Sequence, residues 1–392
     1  MYDFLLKISK KIFTSSWSIN KAVSKRKQLQ YLDSITLVDN SLFNRSYLQY
    51  KCQMKFESTI KVILLNLISP FLILGIIIYG QMNSYSIRSS FESQKTKKKA
   101  INLGYSDLIP KSLKDEYNII EGNKKLCFTI NDLIFIKSIF QKYPFQWYFL
   151  FKCIFKIGIY SYIIKEYKPV AILTNSEYSF TSSILTQYCR EQKIKHINYM
   201  HGEKIFAIRD SFFEFDLMYI WDEYYINLFN SLYANNEYVI EVPERFKSKN
   251  NTNRNQFEDE LIIKYYLQWE DEIELEKINR VRILLKDEYK FIVRPHPRYS
   301  DTKLIQRIFP TESIESPYDV DIMSSIRNSY AVCSKYSTVF FQAYLQDKVL
   351  IIDDISNYKV YDKLKEFDYY IFHKDHSLLS EIVNNIAGDG KI

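Results

Sequence analysis

Short apolar runs alternate with longer amphipathic stretches over most of the chain beyond about Asn102. Runs rich in β-branched and aromatic residues predict buried strands, and apolar residues spaced three and four positions apart predict helices. The predicted strands are PVAILT, KHINYMHG, DLMYIWD, EYVIEV, ELIIKYYLQ, YKFIVRPHPR, YAVCS and KVLIID. Strands that alternate with helices of this length predict an α/β fold, with parallel sheets covered by helices on both faces.

One polar stretch interrupts this alternation. PERFKSKNNTNRNQ, from Pro243 to Gln256, has no apolar periodicity and is typical of a linker. We therefore predict a Rossmann-like domain at residues 100–245, a linker at 246–257 and a second Rossmann-like domain at 258–392. A chain of 392 residues is too long for one ordinary core, so its length agrees with two domains.

The most apolar window, Val62 to Tyr79, lies within residues 1–99, which we predict to be a helical N-terminal region. The window is just long enough to span a bilayer. Pro70 lies in its middle and basic residues flank both ends, so the positive-inside rule draws both flanks to the same side. The pattern favours a re-entrant hairpin or an interfacial helix pair that dips into the cytoplasmic leaflet. A single transmembrane helix and a core helix broken by proline are the alternatives.

A second long apolar stretch, from Phe145 to Tyr167, predicts a helix. Its only lysines are Lys152, Lys156 and Lys165. We expect this helix in the core of the first domain rather than on a membrane.

Charge separates the N-terminal quarter from the rest of the chain. Residues 1–99 contain 16 Lys and Arg against 5 Asp and Glu, a net charge of +11. The whole chain nets +7, which leaves −4 for the remainder. Positive charge confined to one appendage favours an anionic membrane surface as a partner. Nucleic acid is not expected as a partner, because the α/β part carries no basic surface pattern.

The cysteines and acidic residues predict no metal. Five cysteines are dispersed without a CxxC pair, which is typical of a reduced protein without a zinc site. Asp353 and Asp354 are adjacent and do not form an Asp-x-Asp motif. We therefore expect no metal and no cofactor.

The stretch RPHPR follows the predicted strand YKFIV and concentrates unusual chemistry. Arg294 and Arg298 are fixed cations, and His296 is an imidazole that titrates near neutral pH, so together they suit a phosphate or a carboxylate. Pro295 and Pro297 stiffen the loop, which lowers the entropy lost on binding. A solvated surface turn is the alternative.

Hydroxyl groups cluster where the predicted strand YAVCS gives way to a helix. Ser334, Ser337 and Thr338 would lie close to free backbone N–H groups at a helix start, where anions bind. Taken alone, Ser337 or Thr338 is expected only to cap that helix. The position of these hydroxyls two strands from RPHPR in the same domain favours a shared phosphate site.

The first domain has its own polar strand end at MHGEK. Gly202 permits a sharp turn that presents His201 and Glu203, and either could take a proton from a hydroxyl nucleophile. Glu177 in NSEYS and Asp210 in IRDSFF are weaker candidates for acceptor contact, and Asp210 stays open as the base. The three stretches MHGEK, RPHPR and CSKYSTVFFQAYL stand at the carboxyl ends of predicted strands, where open α/β sheets bind ligands.

The order HG, then RPHP, then Ser-x-x-Ser-Thr at a helix start resembles bacterial cell-surface polysaccharide transferases of the two-domain GT-B architecture. The layout is similar to His-Pro sialyltransferases and to CDP-glycerol polymerases of teichoic acid synthesis, and it covers roughly Asn102 to Ile371. The resemblance implies two Rossmann-like domains with a cleft between them and a nucleotide donor in the second. His296 would then lie at the donor phosphate, and His201 or Glu203 would face it from the acceptor domain.

The resemblance implies a glycosyltransferase that moves a sugar from a nucleotide-activated donor to a growing capsule or exopolysaccharide. The acceptor would be lipid-linked or an oligosaccharide at the cytoplasmic face of the bacterial plasma membrane, and transfer would be metal-independent. The sequence lacks the acidic pair followed by glycine that supplies the base in several sialyltransferase families. A CDP-polyol phosphotransferase and a non-catalytic GT-B scaffold in polysaccharide assembly are the alternatives.

Overall fold

The computed structural model describes residues 22–35, 39–84, 98–247 and 261–387. The chain divides into two compact units. The N-terminal unit is Gln28–Thr252, and the C-terminal unit is Asn253–Ile392 together with Met1–Lys27. Apart from its first two residues, the predicted linker at 246–257 lies outside the described residues.

A parallel sheet forms the centre of the N-terminal unit. Its strands among the described residues are β1 (Lys98–Asn102), β2 (Tyr117–Glu121), β3 (Ala171–Thr174), β4 (Lys195–Tyr199), β5 (Leu217–Ile220) and β6 (Tyr238–Ile240). They pair in the order β2-β1-β3-β4-β5-β6, and every pairing is parallel. All four residues of β3 are buried, as expected for a central strand covered on both faces.

The helices described in the first part of the chain are α1 (Lys25–Ser34), α2 (Leu42–Lys55), α3 (Thr59–Ser84), α4 (Lys111–Glu116), α5 (Ile130–Lys142), α6 (Trp147–Tyr167), α7 (Ser182–Glu191) and α8 (Tyr224–Ser231). The helix predicted in the core is α6, and this prediction is confirmed because most of it is buried. Helix α2 packs on α7, where the hydroxyl of Ser46 accepts a hydrogen bond from the Ile184 N–H at 2.8 Å. This part of the N-terminal region therefore belongs to the N-terminal unit.

The C-terminal unit repeats the parallel arrangement. Its described strands are β7 (Ile262–Tyr266), β8 (Lys290–Arg294), β9 (Ala331–Ser334), β10 (Val349–Ile352) and β11 (Ser377–Leu378), in the order β11-β10-β9-β7-β8. Its described helices are α9 (Glu272–Leu285), α10 (Thr302–Ile308), α11 (Ile322–Arg327), α12 (Val339–Tyr344), α13 (Tyr358–Glu366) and α14 (Leu379–Ala387). Two parallel α/β sheets confirm the predicted fold class of two Rossmann-like domains.

The Val62–Tyr79 window is not a hairpin. It lies inside α3, a continuous helix of 26 residues that runs through Pro70, so the predicted re-entrant hairpin or helix pair is wrong. Proline removes one helical hydrogen bond, but packing along one face holds the helix together on both sides of it. Among the described residues, α3 and α6 are long and apolar enough to cross a membrane, and they differ in that α6 is largely buried whereas α3 is not.

His196 on β4 is buried in the neutral form. Thr186 Oγ1 donates to the Glu214 carbonyl at 2.7 Å, so it accepts the proton of His196 Nδ1 at 2.8 Å. His196 Nε2 then accepts from the Tyr160 hydroxyl at 2.9 Å. Burial, with a smaller effect of Arg190, lowers the pKa of His196 to about 3.

Acid should therefore destabilise the protein through His196. The unfolded state binds a proton below about pH 6.5 and the folded state does not, so the free energy of unfolding falls by about 1.4 kcal/mol per pH unit as the pH drops from there towards 4. The variant His196→Gln cannot titrate at this position and should lose that part of the slope. Urea unfolding at several pH values measures it, and parallel pH profiles for the two proteins would contradict the assignment.

Candidate active site

Each sheet reverses the direction in which its strands are added. In the N-terminal unit the chain passes from β1 outward to β2 and then builds β3 to β6 on the other side of β1. In the C-terminal unit the reversal lies between β7 and β9. Ligands of open α/β sheets bind outside the carboxyl ends of the strands at this switch point. Both reversals carry polar side chains.

A buried carboxylate organises the switch point of the N-terminal unit. Glu177, in the loop after β3, is fully buried. Its Oε1 lies 3.0 Å from Nδ1 of His201 and 2.7 Å from Nζ of Lys204, both in the loop after β4. Its Oε2 accepts a hydrogen bond from the side-chain amide of Asn198 at 3.0 Å. Glu177 therefore fixes the orientation of a partly exposed imidazole.

The ionised form of Glu177 is stabilised by its two basic neighbours. Burial alone would raise the pKa of Glu177, but the charges of Lys204 and His201 and their hydrogen bonds outweigh it and hold that pKa well below its usual range. Because the ionised Oε1 of Glu177 lies 3.0 Å from Nδ1 of His201, it favours a neutral imidazole with its proton on Nδ1, which leaves Nε2 as the nitrogen available to accept one.

The loop after β1 completes this strand edge. Asn175 Oδ1 accepts from the backbone N–H of Tyr105 at 2.7 Å, and the Tyr199 hydroxyl donates to Asn102 Oδ1 at 2.7 Å. A Cβ at Gly104 would overlap Asn175 and the Tyr199 hydroxyl, so only glycine permits this close approach. The ring of Tyr105 lies 6.0 Å from that of His201. Loops from β1, β3 and β4 therefore meet around the imidazole.

Helix α2 fastens the loop that carries Glu177. The side-chain amide of Gln49 donates to the carbonyls of Glu177 at 2.9 Å and Arg209 at 3.1 Å. Gln53, one turn later, donates to the carbonyls of Tyr178 at 2.7 Å and Arg209 at 2.9 Å. The N-terminal region therefore positions the candidate site, a role that its sequence did not predict.

The other predicted acidic residues of this unit are Glu203 and Asp210. Glu203 is buried, whereas His201 beside it is partly exposed. Asp210 is also buried and lies 3.4 Å from the guanidinium of Arg209. Their predicted roles as base or acceptor contact stay predictions. Glu177, predicted only as a weak acceptor contact, is instead the residue that holds His201.

In the C-terminal unit, the backbone of the His-Pro loop fixes the predicted histidine. The N–H of Arg298 donates to Nδ1 of His296 at 3.0 Å, so the neutral imidazole carries its proton on Nε2. The ring of Tyr299 stacks on His296 with a centroid distance of 4.3 Å. Burial, followed by the charge of Arg298, lowers the pKa of His296. The result is a neutral histidine with an Nε2–H donor.

Hydrogen bonds link the His-Pro loop to the switch point. The backbone N–H of His296 donates to Ser300 Oγ at 2.8 Å, and Ser300 Oγ donates to the Gln268 carbonyl at 2.8 Å. The side chain of Gln268, after β7, donates to Ser337 Oγ at 3.2 Å after β9. These hydrogen bonds connect the loop of His296 to Ser337 through Ser300 and Gln268, and the shared phosphate site of His296 and Ser337 stays a prediction.

The other predicted donor residues have structural partners or stay exposed. The guanidinium of Arg294 donates to Glu315 Oε1 and to the Val320 carbonyl, both at 2.6 Å, and Lys264 pairs with the same carboxylate. The side chain of Arg294 is therefore occupied by contacts inside the domain and is not available to a ligand. Arg298 is exposed.

Two of the three predicted hydroxyl groups, those of Ser334 and Ser337, form hydrogen bonds to the backbone of the same unit. Ser334 Oγ is buried and donates to the Tyr266 carbonyl at 2.8 Å. Ser337 Oγ, one residue before the N-cap position Thr338, accepts the Val339 N–H at 3.2 Å in the turn that leads into α12. Thr338 makes no capping hydrogen bond.

A pocket of about 140 Å³ opens beside these residues. Its lining includes Gln268 and Trp269 after β7 and Lys335 and Tyr336 after β9. The ammonium group of Lys335 pairs with Glu274 at 2.7 Å, inside the same pocket. Among residues 22–35, 39–84, 98–247 and 261–387, no cluster of three His, Cys, Asp or Glu could hold a metal ion.

Sequence reasoning missed the residues that connect the predicted ones. Lys204 belongs to the MHGEK stretch, but a lysine at a strand end is usually solvated, so its pairing with Glu177 does not follow from the sequence. Gln268 and Trp269 directly follow β7, so their position at a strand end was the available signal. Identifying the switch point would have required the strand order, which the sequence does not show.

Comparisons with known proteins find distant likenesses only. No family model matches the sequence, and no curated protein matches it. The structure is similar to the calicheamicin glycosyltransferase CalG4, with 8% identity and a TM-score of 0.44 over 75% of this chain and 91% of that one. It is similar to the wall teichoic acid polymerase TagF, with 11% identity and a TM-score of 0.39 over 86% and 88% of the two chains.

It is also similar to the Methanocaldococcus jannaschii UDP-GlcNAc 2-epimerase in complex with UDP-GlcNAc and UDP. Identity is 14% and the TM-score 0.41, over 69% of this chain and 92% of that one. These values are too low to assign a family or an activity. The resemblance to sialyltransferases and to capsule enzymes stays a prediction, and a function has to come from the residues of this chain.

A double-mutant cycle tests the organising role of Glu177. Replacing one partner of a buried ion pair strands the other, so Glu177→Gln and Lys204→Met should each lower the free energy of unfolding by about 3 kcal/mol. The double variant should lose clearly less than the sum. Glu276→Gln, which removes an exposed pair with Arg280, is the control and should change stability little. Additive losses in urea unfolding would contradict the coupling.

Proposed function

We propose that the protein is a transferase that uses a nucleotide-activated sugar as its donor. One observation carries this proposal. In each unit a histidine lies in a loop at the carboxyl edge of a parallel sheet, and Nδ1 of each has a defined neighbour. The Glu177 carboxylate lies 3.0 Å from Nδ1 of His201, and the Arg298 N–H donates to Nδ1 of His296. His201 would accept a proton at Nε2. His296 would donate a hydrogen bond from its Nε2–H. A proton acceptor and a neutral hydrogen-bond donor are the groups that nucleotide-dependent transfer to a hydroxyl requires.

We assign His201 as the general base. The acceptor hydroxyl would give its proton to His201 Nε2 while its oxygen attacks the anomeric carbon of the sugar. Glu177 holds the ring and balances the imidazolium charge that forms, which is how a carboxylate assists a histidine base. Lys204, already paired with Glu177, keeps that carboxylate ionised throughout.

We assign His296 to the donor phosphate. Its lowered pKa keeps the imidazole neutral at physiological pH, so Nε2–H donates a hydrogen bond to a phosphate oxygen without adding a charge. Arg298, exposed in the same loop, supplies the cation. As the bond to the sugar breaks, negative charge grows on the leaving phosphate, and both groups stabilise it. The rings of Trp269 and Tyr299 lie 5.5 Å apart, and their exposed aromatic faces could stack on the nucleobase of the donor.

The narrower parts of the proposal concern substrates and place. We propose a growing surface glycan as acceptor, on a lipid carrier or as an oligosaccharide, at the cytoplasmic face of a bacterial plasma membrane. We also propose that transfer needs no metal, which a chelator added to the assay tests. The same two histidines would serve attack at phosphorus with a CDP-polyol donor, so the identity of the donor separates the two reactions.

Nucleotide binding is the first test. Purified protein is heated with CMP, CDP, UDP, GDP and their sugar and polyol conjugates, because a ligand that binds only the folded state raises Tm by mass action. One nucleotide class should stabilise the wild type, and His296→Ala should lose the response. His201→Ala is the matched control because it alters the other unit, and this variant should keep the nucleotide-induced rise in Tm. If no nucleotide raises Tm at millimolar concentration, the donor assignment is wrong and a scaffold role is favoured.

Turnover with that donor tests the base. His201→Ala should lower kcat by about 10²- to 10⁴-fold while the donor-induced shift in Tm stays unchanged. Glu177→Gln should also lower kcat, because the ring loses its orientation. Glu203→Gln should leave kcat near the wild-type value. A large loss in the Glu203 variant with little in the His201 variant would transfer the role of base to Glu203.

A further inference from the structure

Helix α3 leaves one long face uncovered. Nine large apolar side chains on it are exposed in the N-terminal unit, among them Phe71 at 78%, Ile60 at 71% and Met82 at 69%. The full set is Ile60, Ile63, Leu64, Leu67, Ile68, Phe71, Leu74, Ile78 and Met82. These positions recur three and four residues apart, so they form one continuous stripe. A contiguous apolar surface of this length is rare on a soluble monomer and marks an interaction site.

The opposite face of α3 is attached along the domain. Near its start, Asn66 Oδ1 accepts a hydrogen bond from the Tyr148 N–H of α6 at 3.2 Å. Fourteen residues later, about 21 Å along the axis, Gly80 lies against the ring of Phe128. Helix α3 therefore lies flat on α6, a core helix, over most of its length. A bilayer crossed by α3 would also have to enclose α6 and the lysines that it carries.

Two exposed lysines lie near the end of α3. Asn83, in the last turn of α3, donates to the Leu126 carbonyl at 3.3 Å, which brings the segment with exposed Lys124 and Lys125 to that end of the helix. Lys152 and Lys156 of α6 lie one and two turns after Tyr148, whose N–H contacts α3, but burial lowers the pKa of both, so they are not among the lysines that lipid would contact.

We propose that this stripe is a membrane-docking surface, by which α3 lies in the plane of the interface of a bilayer that contains anionic lipids. The apolar side chains enter the boundary between headgroups and acyl chains, and the lysines contact lipid phosphates. The helix neither crosses the bilayer nor folds back within it. This attachment does not depend on the transferase activity.

Charge argues for lipid rather than for a second copy of the chain. Lys51 and Lys55 are exposed just before α3, and Lys124 and Lys125 are exposed in the segment that Asn83 contacts at its end, so two copies that met through the stripe would bring like charges together. Anionic headgroups are instead complementary to these lysines. Helix α3 itself contains no acidic residue that would repel them.

Vesicle binding tests the surface with full-length protein. Wild type should sediment with vesicles of phosphatidylcholine containing about 30% phosphatidylglycerol, more weakly with pure phosphatidylcholine, and less as salt rises. Phe71→Glu should lower partitioning by about tenfold or more. Ile240→Glu, the same change at an exposed residue of edge strand β6, is the matched control and should bind like wild type.

A second pair of variants tests the lysines. Lys124→Glu with Lys125→Glu should abolish the preference for anionic vesicles and keep weak binding to neutral ones. Lys193→Glu with Lys195→Glu changes the net charge equally at two exposed positions, one just before β4 and one at its first residue, and this double variant should keep the preference. If both double variants lose the preference for anionic vesicles equally, the net charge of the protein recruits the lipid and the proposed surface does not.

Depth measurements distinguish lying on the bilayer from spanning it. All five native cysteines are buried, so Leu64→Cys, Phe71→Cys and Ile78→Cys can each be labelled with a nitroxide on the exposed face. The three labels should report the same shallow depth. Depths that differ by about 21 Å between the first and last would show a spanning helix and overturn the proposal. A wild type that ignores vesicles and forms a dimer that Phe71→Glu dissociates would overturn it in favour of self-association.

Discussion

The N-terminal unit depends on how one buried negative charge is balanced. Glu177 has no access to water, so its carboxylate is tolerated only because Lys204, His201 and Asn198 surround it. Those partners come from β4 and the loop after it, whereas Glu177 follows β3. Balancing the charge therefore fixes two loops against each other. The exposed imidazole has a defined orientation as a consequence of a requirement of the fold.

The C-terminal unit positions its histidine without a buried charge. There a backbone N–H holds Nδ1 of His296, and neutral hydrogen bonds through Ser300 and Gln268 connect the loop to the neighbouring strand ends. The arginine that the sequence offered, Arg294, is used against Glu315 inside the domain. The two units therefore reach the same result, an oriented imidazole at the carboxyl edge of a parallel sheet, by ionic packing in one and by neutral hydrogen bonds in the other.

The sequence predicted the elements whose signal is local. Strands β3 to β10 were visible because each is a short apolar run, and the polar stretches after them were recognisable from their position. Strand β1 was missed because it begins with two lysines, although its last three residues are buried, and β2 was missed because only Tyr117 among its five residues is buried. The continuity of α3 through Pro70 depends on packing against α6, and the roles of Glu177 and Arg294 depend on partners distant in sequence. None of these appears in a local pattern.

The ring of Phe128 lies between two glycines, Gly80 of α3 and Gly158 of α6, and a Cβ at either would overlap it. The aromatic ring thus packs closely against both helices at these two glycines. Helix α6 ends at Tyr167, and only a tight left-handed turn at Lys168 separates it from β3. Helix α3 is therefore connected through α6 to β3, whose carboxyl end leads into the loop of Glu177. A larger residue at Gly80 or Gly158 would have to displace the ring of Phe128, which contacts both helices at these positions.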